Sequence, residues 1–150
     1  KPTALILSRQ NLPTIDRDAN QVGLIDRGGY VVYESSSKPE LVLLSTGSEL
    51  SATLEAAKEL ENKISVRVVS IPCTERFDAQ GKDYVESILG TDTTKVAVEA
   101  SHEDWWRKYV GLNGLVIGMD SFGESAPGNV LADYFGFTKE KIVASILKHL

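Results

Sequence analysis

Short apolar runs alternate along the chain with stretches in which apolar residues recur every third or fourth position, a rhythm that predicts strands interleaved with helices. Residues 3–7 form a first apolar run that ends at a polar stretch closed by Pro13, which predicts a strand followed by a loop. Residues 14–29 are polar and charged and close on Asp26-Arg27-Gly28-Gly29, which predicts a linker ending in a turn. The β-rich runs 30–34 and 41–45 are separated by six residues and predict an antiparallel hairpin at a sheet edge. Ser48 then predicts the cap of a helix with Leu50, Leu54, Ala57 and Leu60 on one face.

The same alternation continues downstream. Ile64, Val66, Val68 and Ile71 predict a strand stopped by Pro72. Residues 84–89 predict a helix ended by Gly90, and 96–98 a buried strand. Ser101 to Asp104 predicts a capping box ahead of a helix carrying Trp105, Trp106, Tyr109 and Val110, with Gly111 as its terminator. Residues 115–119 predict the last strand. Pro127 opens a short helix closed by Gly136, and Thr138 caps a final helix bearing Ile142, Val143, Ile146, Leu147 and Leu150. Nearly continuous apolar strands between amphipathic helices require a sheet covered on both faces, so the fold class is a three-layer α/β sandwich.

Composition narrows the partners. The chain has 150 residues, a formal net charge of −5 and no run of Lys and Arg, so it lacks the basic face a nucleic-acid binder needs. No apolar stretch is long enough to cross a bilayer, so no membrane partner is expected. A lone Cys73 without zinc-ligand spacing points to a reducing compartment, and a cytoplasmic location is expected. The opening Lys1-Pro2 with a strand-like run behind it suggests a processed or cut-out piece of a longer protein.

Candidate chemistry is sparse. Neither a dinucleotide fingerprint, a phosphate loop nor a nucleophile elbow occurs, and Thr46-Gly47-Ser48 reads as a tight strand-to-helix turn. His149 suits the last turn of a helix, and His102 reads as a solvated histidine after a strand. Glu99, Glu103, Asp104, Asp120 and Glu124 show no spacing that dictates a pair. One helical face can bury only one of Trp105 and Trp106, which leaves the other for a packing surface.

Five segments taken together carry a resemblance: Leu7-Ser8-Arg9-Gln10-Asn11-Leu12-Pro13, Phe77-Asp78-Ala79-Gln80, Val96-Ala97-Val98-Glu99-Ala100, Lys108-Tyr109-Val110-Gly111 and Phe122-Gly123-Glu124-Ser125-Ala126-Pro127. In order and spacing they resemble the C-terminal part of transketolase over nearly the whole chain. Ser101-His102 departs from the family pattern, where a glycine is expected after Glu99-Ala100. The resemblance implies a five-stranded mixed sheet with one antiparallel edge strand. It also implies that residues 1–15 are the tail of a preceding pyrimidine-binding domain, its last strand included, and that 16–150 form the C-terminal domain. The tail is expected to be poorly ordered or aberrantly packed without its sheet.

For function, the resemblance implies transfer of a two-carbon ketol unit from a ketose phosphate to an aldose phosphate. The parent would be a homodimer using thiamine diphosphate and magnesium, both held by upstream domains, with no cofactor, metal or catalytic residue in this segment. Arg9 alone carries over, as a contact to the substrate phosphate, a role suited to a guanidinium fork that accepts no deprotonation at working pH. The isolated segment is expected to be inactive. A small-metabolite-binding regulatory module, near Thr46, Ser101 and Ser121, and a purely structural support for dimerisation remain the alternatives.

Overall fold

A computed structural model describes residues 2–150. Its strands are β1 (Tyr30–Glu34), β2 (Leu41–Ser45), β3 (Val66–Ser70), β4 (Thr94–His102) and β5 (Leu115–Met119), joined into one sheet in the order β1-β3-β2-β4-β5. Its helices are α1 (Ala19–Leu24), α2 (Glu49–Leu60), α3 (Thr74–Asp78), α4 (Lys82–Leu89), α5 (Asp104–Val110), α6 (Gly128–Phe135) and α7 (Lys139–His149). β2 runs parallel to β3 and β4, β4 runs parallel to β5, and β1 alone is antiparallel. The expected three-layer, five-stranded mixed sheet with one antiparallel edge is therefore what the chain forms.

Strand alternation sends alternate side chains to two cores. On one face Leu41, Leu43, Val66, Val68, Val96 and Val98 meet Leu50, Ala57 and Leu60 of α2 and Ile142, Val143 and Ile146 of α7. On the other, Val42, Leu44, Val69 and Ala97 meet Phe77, Leu89, Trp106 and Tyr109 from α3, α4 and α5. Complete burial of each such aliphatic side chain contributes roughly 1.5–3 kcal/mol.

The hairpin expectation is corrected. β1 pairs with β3, with Tyr30 opposite Ser70, and β2 lies between β3 and β4. All five residues of β2 are buried, so it needs cover on both faces and neighbours on both edges, a place a hairpin edge does not provide. The link between β1 and β2 is held instead to β3, where Ser35 N–H donates to the Val66 carbonyl at 2.9 Å.

Four local expectations also change. Residues 3–7 form no strand and pair with none of the five, and Leu5, Ile6 and Leu7 are 80%, 93% and 73% exposed. The predicted linker contains α1, opened by a capping box in which Asp18 accepts from Gln21 N–H at 2.8 Å and Gln21 accepts from Asp18 N–H at 3.2 Å. The predicted capping box at 101–104 does not form, because β4 carries the chain extended through His102. Ser48 and Thr138 stand at helix starts without side-chain caps, the Ser48 hydroxyl donating to Glu49 Oε1 at 2.8 Å.

Candidate functional site

α2 follows β2 and packs on one face of the sheet, whereas α5 follows β4 and packs on the other. Two adjacent parallel strands whose chains leave in opposite directions open a crevice at their carboxyl ends, the place where α/β sheets hold ligands. Thr46-Gly47-Ser48 forms one lip, with Gly47 at φ +55°, and Glu99, in the later part of β4, forms the other. Thr46 N–H donates to the Glu99 carboxyl, whose Oε2 is buried without a partner. Burial first, and then the charge of Glu49, push the Glu99 carboxyl up to about 8 against the effect of that hydrogen bond.

Sequence reading leaves Glu99 among scattered carboxylates, yet the fold sets it beside Glu49. The signal available was its position directly after the apolar run Val96-Ala97-Val98, all three residues of which are buried.

The segment before α1 runs over this end of the sheet. Leu12, Pro13, Thr14, Ile15 and Arg17 face Thr46, Ser48, Ser70 and Pro72 across a cavity of about 410 Å³. Gln10 lines a second cavity of about 310 Å³ with Glu49, Met119, Glu124, Leu131 and Phe135. Arg9 sits in a bend at the start of this segment, exposed, and makes no hydrogen bond or ion pair to the described residues. Arg17, unremarked in the sequence, donates from Nε to the Tyr30 hydroxyl at 2.8 Å and from Nη1 to the Ile15 carbonyl at 3.2 Å.

The remaining candidates stay apart. His102 is exposed beside Asp104, and the His149 ring lies 3.0 Å from the Asn113 carbonyl at the opposite end of the sheet. Asp120 and Glu124 are exposed in the loop after β5. Trp106 is buried while Trp105 stands 56% exposed, with the Lys108 ammonium 5.5 Å from its ring.

Among the described residues no group of three or more His, Cys, Asp or Glu side chains is placed to hold a metal ion. The crevice itself presents Glu49, whose charge would repel a diphosphate, and Glu99, which holds a proton below about pH 8 and supplies no positive charge to bind one. These residues do not fit thiamine diphosphate or its metal, and no step through either is derived from them.

Residues 28–138 match the family model described as the transketolase-like TK C-terminal domain. The chain belongs to that family. It is 52% identical over 151 residues to transketolase 2 of Escherichia coli, an alignment covering 99% of this chain and 23% of that protein. Among solved structures, a transketolase from Leishmania mexicana superposes with a TM-score of 0.76 at 39% identity, covering 83% of this chain and 18% of its own. A transketolase from Pichia stipitis, in complex with sedoheptulose-7-phosphate, gives 0.81 at 30% identity over 94% of this chain and 20% of its own. The chain thus spans about a quarter of the length of the transketolases it matches.

Proposed function

We propose that this chain is the C-terminal portion of a transketolase, the transferase that moves a two-carbon ketol unit from a ketose phosphate to an aldose phosphate. The observation that carries this reading is the 52% identity to the Escherichia coli enzyme, which extends over 99% of the chain, beyond the limits of the domain family. Thiamine diphosphate and magnesium belong in this reading to upstream domains, where the cofactor supplies the carbanion chemistry that amino-acid side chains lack. Residues 1–15 are the tail of the preceding pyrimidine-binding domain, and 16–150 the C-terminal domain. The parent is a cytoplasmic homodimer, and this segment alone is inactive.

Arg9 binds the phosphate of the sugar. Its guanidinium is exposed and uncommitted to any described neighbour, so it is free to form two parallel charge-assisted bonds to phosphate oxygens. The solved relative holding sedoheptulose-7-phosphate supports a phosphorylated sugar as the ligand class.

The test is Arg9→Ala in the full-length enzyme, assayed with a phosphorylated ketose and its non-phosphorylated counterpart. The expected result is a KM for the phosphorylated donor raised roughly 10- to 100-fold relative to the other. An equal loss on both donors removes the phosphate role from Arg9. Ketol transfer or saturable thiamine diphosphate binding by the 150-residue chain alone overturns the assignment of the chemistry to upstream domains.

A further inference from the structure

We infer that the outward face of α6, with the loop that precedes it, is where the preceding domain of the same polypeptide docks, an inference that rests on the reading of this chain as the C-terminal portion of a transketolase. α6 carries Val130, Leu131, Ala132, Tyr134 and Phe135 yet buries none of them fully. Ala132 and Phe135, three apart, lean on the core between the sheet, α2 and α7. Val130 and Tyr134, four apart, share the opposite side and stand 52% and 70% exposed. Phe122, in the loop after β5, is 96% exposed, and so is every residue from 121 to 130 at least in good part. A helix with apolar side chains on both sides belongs between two bodies, and this chain supplies one of them.

The join to the preceding domain lies beside this helix. Ile15 packs on the same core as Ala132 and Phe135, and Leu12 and Pro13 share with Asn129 and Ala132 the walls of a cavity of about 450 Å³. The chain from Leu7 to Ile15 spans at most roughly 27 Å, so wherever the preceding domain holds Leu5, Ile6 and Leu7, it holds them within that distance of Ile15. The match covers 23% and 22% of two bacterial transketolases, which leaves the larger share of the polypeptide for the far end of that short tether. Charge selects among occupants. Glu49 and Glu124 line the neighbouring cavity of about 310 Å³ and Glu55 the one of about 450 Å³, and among the described residues neither has a Lys or Arg in its walls. A second copy meeting this face across a two-fold axis would set the same carboxylates against one another. The preceding domain instead brings apolar side chains to Val130 and Tyr134 and a Lys or Arg to Glu49 and Glu124.

The full-length protein, assayed first for ketol transfer, tests this through Val130→Cys, Tyr134→Cys and, as control, Leu112→Cys, a fully exposed position ahead of β5 at the other end of the sheet. Maleimide labelling, read by mass on each engineered peptide, is expected to run about tenfold or more slower at 130 and 134 than at 112 in the folded enzyme, and alike at all three in urea. Adding Glu124→Lys to Tyr134→Cys is expected to speed labelling at 134 about three- to tenfold, because a cation then faces a cation. A benzophenone side chain in place of Phe122, in mixed isotopically heavy and light enzyme, is expected to cross-link to the preceding domain of the same polypeptide. Equal labelling at all three positions in an active enzyme overturns the docking. Cross-links joining heavy to light chains give the face to a second copy, and protection that appears only on adding a sugar phosphate gives it to a small ligand, and either result overturns it too. No effect of Glu124→Lys removes the ionic contact that selects the occupant. A full-length protein without ketol transfer overturns the transketolase reading instead, and the docking falls with it.

Discussion

The Tyr109 hydroxyl of α5 donates to Asp78 Oδ1 of α3 at 2.8 Å, and Lys108 Nζ reaches the other oxygen of the same carboxylate at 2.6 Å. Two helices of one layer are thereby joined through a single carboxyl group at the edge of the aromatic cluster of Phe77, Trp106 and Tyr109. Burial works to raise the Asp78 carboxyl, but the bonds from Lys108 and Tyr109 outweigh it and hold the group below its ordinary value.

Tyr109→Phe keeps the ring packing and removes the bond, and is expected to cost about 1 kcal/mol at neutral pH. Because Asp78 titrates lower in the folded chain than in the unfolded one, its contribution is complete above the ordinary carboxylate range and is lost as pH falls through the depressed value. Urea unfolding of both proteins at pH 7 and pH 3 checks this: the gap should be full at the first and smaller at the second.

Glu99 has the opposite sign. Its folded value of about 8 stands above the ordinary carboxylate value, so the folded chain holds a proton that the unfolded chain releases. Stability therefore declines as pH rises through that interval, by up to about 1.4 kcal/mol for each pH unit. Glu99→Gln keeps an acceptor for Thr46 N–H and carries no charge. Thermal melts should show it close to the parent chain at pH 5 and more stable at pH 8.5, and a constant offset at both would dissociate Glu99 from the pH dependence.

Two glycines a few residues apart should respond in opposite directions to alanine. Gly28 has φ +83°, and a Cβ there would lie 2.4 Å from the Cys73 carbonyl oxygen, a backbone atom that cannot move aside cheaply. Gly28→Ala is expected to cost about 2 kcal/mol or more. Gly23 lies within α1 with open space where a Cβ would stand, and Gly23→Ala should stabilise by up to about 1 kcal/mol. Denaturant midpoints compared at equal m-values decide both.

Removing residues 1–7 should leave the melting temperature of the remainder within about 2 °C, because Leu5, Ile6 and Leu7 bury little of their surface. The same deletion should reduce self-association in size-exclusion runs, since three neighbouring exposed aliphatic side chains are removed. A fall in Tm of more than about 5 °C would mean that the segment contributes to the fold of 16–150.

Much of this architecture is legible from side-chain pattern because the strands are short and two-sided. Val96-Ala97-Val98 and Leu41-Val42-Leu43-Leu44 admit few environments other than the middle of a covered sheet. Pairing is less legible. The pattern of β1 suits any antiparallel edge, and nothing in residues 30–45 says that β3, a later segment, takes the place beside β1. α1 escaped because its face buries no residue fully, so periodicity is weak there, although Asp18 and Gln21 at capping-box spacing marked its start.

The site divides along a similar line. Arg9 is found through resemblance alone, and its exposed position adds no partner to name. The Glu49 and Glu99 pair arises from the start of α2 and the later part of β4, brought together because β2 and β4 are neighbours in the sheet, a juxtaposition invisible to spacing. Arg17 and Tyr30 are hidden for the same reason, since a charged residue in a polar stretch and an aromatic opening a strand are both ordinary until the chain folds one over the other.

The placement of β2 between β3 and β4 also governs the order in which the chain can fold. Leu41 must find Val66 on one side and Thr94 on the other, so each ladder closes a long loop before any contact rewards it. The first strand to pair with its immediate successor is β2, which reaches β3 in parallel only across α2, so no hairpin-sized nucleus is available at the start of the chain. Topologies of this kind acquire their sheet late and slowly relative to helical bundles of the same size. The β1 edge is set only once β3 has emerged, and until then Tyr30, whose hydroxyl accepts from Arg17, has no sheet to stand in.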